Sequence, residues 1–89
     1  MTYAVGMSVK LDQSSPEEGL AMLRDMVVPH AKSQPGFQNG TWMNADGDGM
    51  GVVVFDTREH AEAALDALKP PPGGPELVSA KIYEVGAQA

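Results

Sequence analysis

Two histidines, one tryptophan and a short acidic run are the residues of this chain whose types could do chemistry. His30 follows Met26 and Val27 by four and three positions, which on a helix sets it on or beside the sheet-facing stripe. Imidazoles titrate near neutral pH, so one facing a pocket could act as a general base. The plainer reading of His30 is a partly exposed residue at a frayed helix end, kinked by Pro29. His60 falls in the first turn of a second helix beside Ala61, where surface placement is the plainer reading. Trp42 offers a flat wall for an aromatic ligand, or equally packs in the core or at an interface. Tyr3 and Tyr83 carry hydroxyls that could orient a ligand, but both lie near strand ends and suit a rim or interface. Asn44-x-Asp46-x-Asp48-Gly49 opens like a calcium loop, yet its twelfth position is Phe55, an apolar strand residue rather than the required glutamate. It reads as a turn. Two histidines without a third nitrogen, thiolate or aimed carboxylate make no metal site. There is no glycine-rich phosphate loop, G-x-S-x-G elbow or cysteine nucleophile, and no cofactor is implied.

The elements that must position these residues form a pattern that occurs twice: an apolar strand, a capped helix, a proline-glycine break and another strand. From Tyr3 to Leu11 the odd positions are apolar and the even ones include Ala4, Gly6 and Ser8, a strand whose small face admits a close neighbour. Ser15-Pro16-Glu17-Glu18 supplies an N-cap, a proline at the first helical position and a capping glutamate. Leu20, Leu23, Met26, Val27 and Ala31 follow at helical spacing, with Pro29 expected to break the helix or turn it into 3₁₀ between Val28 and Ser33. Phe37 to Asn44 is a strand with Gln38, Gly40 and Trp42 on one face and Phe37, Asn39, Thr41 and Met43 on the other. Asp46-Gly47-Asp48-Gly49 is turn chemistry, and Met50 to Phe55 reads as a central strand. Asp56-Thr57-Arg58-Glu59 starts a second helix with a buried stripe of Ala61, Ala64, Leu65 and Leu68. The tract Pro70 to Pro75 is a stiff connector, and Glu76 to Val85 closes the sheet. The order βαββαβ predicts an α+β, ferredoxin-like domain over residues 1–89, with a four-stranded antiparallel sheet and both helices on one face. The other face then needs a cover, and a second copy of the chain is the expected one.

Composition narrows the partners. The net charge is −6, and the six basic residues are scattered, which suits neither nucleic acid nor an anionic membrane. There are no cysteines, which fits a reducing cytoplasm, and neither a secretory signal nor an apolar run long enough to span a bilayer is visible.

Pro35-Gly36-Phe37, Gly40-x-Trp42, Phe55-Asp56-Thr57-x-Glu59-x-Ala61 and the closing Val78-to-Val85 strand together span nearly the whole chain. In that order they resemble the antibiotic-biosynthesis-monooxygenase-like domains of the dimeric α+β barrel superfamily. The resemblance implies a homodimer packed sheet against sheet, with a pocket in each protomer between helices and sheet. It also implies either a cofactor-independent monooxygenase acting on a small phenolic or polyketide-like compound, or a non-catalytic barrel that binds a small ligand or serves a stress-associated role. In the first case His30 would be the base, with Trp42 and Asn39 or Asn44 shaping the site. Haem degradation fits poorly, since the middle of the first strand, Val5-Gly6-Met7, has no asparagine and His60 comes too early in its helix.

Overall fold

The computed structural model describes residues 1–11, 16–70 and 75–89; the Ser15 cap and the inner part of the proline-glycine tract lie outside them. Alternating apolar residues build β1 (Tyr3–Lys10), and the two halves of a hairpin build β2 (Phe37–Ala45) and β3 (Asp48–Phe55). With β4 (Glu76–Glu84) they form one antiparallel sheet in the order β2-β3-β1-β4, the ferredoxin-like arrangement that the sequence predicts. The hairpin turns on Asp46 and Gly47, whose φ angles of 50° and 89° are those of a two-residue type I′ turn between the paired Ala45 and Asp48. Asp48-Gly49 therefore belongs to the strand rather than to the turn.

One face of the sheet carries the core. Val5, Val53 and Phe55 lie there against Ala31, Ala61 and Ala64 from the helices, all buried, with Phe37 meeting Phe55 edge to face at 6.3 Å. Phe37 is thus on the same face as Trp42, not opposite it as strict alternation predicts. The pairing of β2 with β3 slips between Phe37 and Asn39, leaving Gln38 as the extra residue of a bulge that resets the alternation.

The second helix, α3 (Arg58–Ala67), is seated as expected by Ala61 and Ala64, with Leu65 and Leu68 half-buried. Its cap is Thr57, whose hydroxyl accepts the His60 amide at 3.1 Å. The first helix departs from expectation. It runs as α1 (Pro16–Met22), a π-helical turn (Leu23–Val27) and α2 (Val28–Lys32), and continues through Pro29. Pro29 has no amide to give and its ring crowds the carbonyl four residues back. The chain answers this not by breaking after Val28 but by widening the turn before it, where the Val28 amide reaches back five residues to Leu23. Of the expected stripe only Ala31 is buried; Leu20 and Met26 are 55% and 63% exposed.

Candidate functional site

Trp42 sits on the helix-bearing face of β2, half-buried against the core. Two glycines set its orientation. A Cβ on Gly40 would come within 2.6 Å of the six-membered ring, and one on Gly51, the cross-strand partner of Trp42, within 3.0 Å of the five-membered ring. Both ends of the indole therefore rest on bare backbone, one on each of two adjacent strands, so the ring lies down along the sheet. Asn44, two residues on, shares this face by strand alternation, whereas Asn39 pairs with Val54 and lies on the opposite one.

His30 lies elsewhere. It is exposed on α2, and its Nε2 donates to the Ala67 carbonyl at 3.0 Å, joining the ends of the two helices. That leaves Nδ1 as the nitrogen free to take a proton. The helix end beside it is tied down rather than frayed, since the His30 carbonyl accepts from Ser33 Oγ at 2.6 Å and from Gln34 Nε2 at 3.2 Å. The structure thus brings Trp42 and Asn44 onto one face, and it brings neither Asn39 nor His30 into contact with them through any hydrogen bond among the described residues.

A second imidazole is held more firmly. His60 Nδ1 donates to Asp56 Oδ1 at 2.6 Å, and this hydrogen bond holds the Asp56 carboxyl below the usual carboxylate range. The pair lies directly over Gly36, whose φ is 80° and where a Cβ would collide with both side chains. The Asp56 amide donates to the Gly36 carbonyl at 3.0 Å. Asp56, read from sequence as part of a cap, is instead half of a clamp that joins the start of α3 to the start of β2. Its i,i+4 spacing to His60 was the available signal.

The face without helices carries Ala4, Gly6 and Ser8 of β1, as the small-residue side requires, and the Tyr83 ring lies across Gly6, 2.5 Å from where a Cβ would be. Met43, Met50, Val78 and Tyr83 are exposed there. Ser8, Met43, Met50 and Val78 line a cavity of about 430 Å³, with Lys10 and Asp48 at its edge joined by a 2.6 Å ion pair that raises the Lys10 pKa. The resemblance led us to expect a pocket between helices and sheet; this cavity lies on the opposite side of the sheet. Among the described residues no three His, Asp or Glu side chains converge to hold a metal ion, and no helix is long and apolar enough to cross a membrane.

No protein-family model matches the sequence, and no curated protein matches it. Solved structures do. A variant of SnoaB, a cofactor-independent oxygenase from Streptomyces nogalater, superposes with a TM-score of 0.70 at 13% identity over 98% of this chain and 95% of that one. A protein assigned as an antibiotic biosynthesis monooxygenase, from Chloroflexus aurantiacus, gives 0.61 at 12% identity over 100% and 98%. At such identities the likeness is one of fold, end to end, and the fold of this chain is that of the antibiotic-biosynthesis-monooxygenase-like domains to which its motifs pointed.

Proposed function

We propose that the protein is a cofactor-independent, monooxygenase-like enzyme that binds a small, flat phenolic or polyketide-like compound against Trp42. The observation that carries the reading is the half-buried indole lying along the helix-bearing side of the sheet over Gly40 and Gly51, a flat aromatic surface of the kind such a ligand stacks on. The shared fold of an oxygenase supports it. The chemistry asks little of the protein. An anthrone-like substrate loses a ring-CH₂ proton to give an electron-rich enolate, which reacts with O₂. One oxygen atom becomes the new carbonyl and the other leaves as water, so the substrate itself supplies all four electrons. The protein's part is to exclude water, accept the proton and hold the anion. His30 Nδ1 is the base in this reading, with Asn44 rather than Asn39 near the ligand.

The functional unit is a homodimer closed through the face that exposes Met43, Met50, Val78 and Tyr83. A second reading, a non-catalytic ligand-binding barrel, is favoured by the exposure of His30 and by its bond to Ala67. Anthrone decides between them. Quenching of the single tryptophan together with oxygen uptake supports the enzyme, and quenching without uptake supports the binder. No quenching rejects both. Full turnover by His30→Ala would remove His30 from the mechanism. Sedimentation as a monomer at micromolar concentration would remove the dimer.

A further inference from the structure

The helix-free face of the sheet changes height between its two central strands. β3 presents Met50, Val52 and Val54 there, and β1 presents their cross-strand partners Ser8, Gly6 and Ala4. A ridge of larger side chains therefore runs beside a trough of small ones. The Tyr83 ring fills the trough above Gly6 and leaves it open above Ser8, where the cavity of about 430 Å³ lies between Met50 and Val78. Charge is confined to one end of the two strands. Asp48 on β3 and Lys10 on β1 stand directly opposite each other next to the hairpin turn, one alternation beyond Met50 and Ser8.

We propose that this cavity is the socket for Met50 of the partner subunit, the two copies being related by a two-fold axis that runs along the strands between β1 and β3. This packing presupposes the homodimer proposed above and specifies how its two faces meet. Such an axis lays β3 of each copy on β1 of the other at the same level. Met50 then stands over the partner's Ser8, Val52 over the partner's Gly6 and Val54 over the partner's Ala4, ridge into trough. Sheet twist turns the two copies by about 30°, which is felt least beside the axis, where these strands lie. The same axis sets Lys10 against the partner's Asp48 and Asp48 against the partner's Lys10, so the two in-chain pairs join into one network. The other two-fold open to two stacked copies runs across the strands. It sets Met50 on the partner's Val52 and Ser8 on the partner's Gly6, ridge on ridge and trough on trough. It also sets Asp48 against the partner's Val54 and Lys10 against the partner's Ala4, where no charge of the other copy meets them. Size and charge select the same axis.

Sedimentation equilibrium of the parent and of variants in the socket tests it. Ser8→Met fills the socket and is expected to raise the dimer dissociation constant about tenfold or more. Combining Ser8→Met with Met50→Ser moves the knob to the other strand and is expected to restore the parent value. A two-fold across the strands predicts the opposite sign for Ser8→Met, which would fill empty space and tighten the dimer. Charge variants give an independent reading should the Ser8 variants fold poorly. Lys10→Asp and Asp48→Lys each set like charges face to face between copies, so each alone is expected to dimerise less than the parent, most clearly at low salt. Mixing the two is expected to restore the dimer as a heterodimer, since each then meets the opposite charge. The packing is overturned if Ser8→Met leaves the dimer unchanged or tightens it, or if mixing the charge variants restores nothing. A parent that sediments as a monomer instead removes the homodimer reading, and this packing with it.

Discussion

The two helices occupy equivalent places in the fold and are held in unlike ways. α3 is fastened at its start by the Thr57 cap and the Asp56–His60 clamp, and along its length by Ala61 and Ala64, whose short side chains let it lie close to the sheet. The first helix is fastened at one end only, through Ala31, while its N-terminal half leaves apolar side chains in water. Small residues and caps settle where a helix lies; apolar spacing alone does not, if a proline changes the register along which the spacing is read. α3 is accordingly held from its cap along its length, and the first helix at its C-terminal end.

Substitutions can sharpen or break that contrast. The largest effect is expected in the core under α3: Phe55→Ala, at a fully buried ring, should cost about 3–5 kcal/mol in urea unfolding, while Met26→Ala should stay within about 0.5 kcal/mol. Equal losses at the two sites would dissolve the distinction. Gly36→Ala comes next, because it forces a non-glycine residue to positive φ and drives apart the Asp56–His60 clamp; a loss of about 1–3 kcal/mol is expected. Thr57→Ala should cost about 1 kcal/mol by removing the cap, measured the same way. The smallest effect is electrostatic. Because the folded Asp56 carboxyl titrates below its unfolded value, the pair contributes stability above the ordinary carboxylate range and loses it as pH falls through the lowered pKa. Carboxyl NMR titration should find Asp56 low in the parent and returned toward the ordinary carboxylate value in His60→Ala. An unchanged Asp56 in that variant would show that the imidazole does not hold it.

Much of this was legible in the residues. The alternation of β1, the Asp-Gly turn and the alanine stripe of α3 each follow from local rules, and the doubled strand-helix-strand pattern sufficed for the ferredoxin-like fold. The face of Phe37 was not legible, because a single extra residue at Gln38 reverses alternation and leaves no mark in composition. The clamp was half legible: Asp56 and His60 stand one helical turn apart in sequence, but Gly36, the residue they require, is twenty positions upstream and meets them only through β2–β3 pairing. The Trp42 site divides the same way. Gly40 and Trp42 share a face by alternation, while Gly51 enters by cross-strand register. His30 could be placed near a stripe but not beside the end of another helix, since Ala67 is brought to it by tertiary packing alone.

The two glycines beneath Trp42 have a consequence for how this sequence can change over time. A side chain added at Gly40 or Gly51 meets the indole, so neither position can drift while the tryptophan remains. Replace Trp42 first with a smaller residue and the same additions become harmless, even useful, as strand formers. The three positions are therefore a single heritable unit, in which the order of substitutions decides which are tolerated. A lineage that has lost the tryptophan should be the one in which both glycines have been filled.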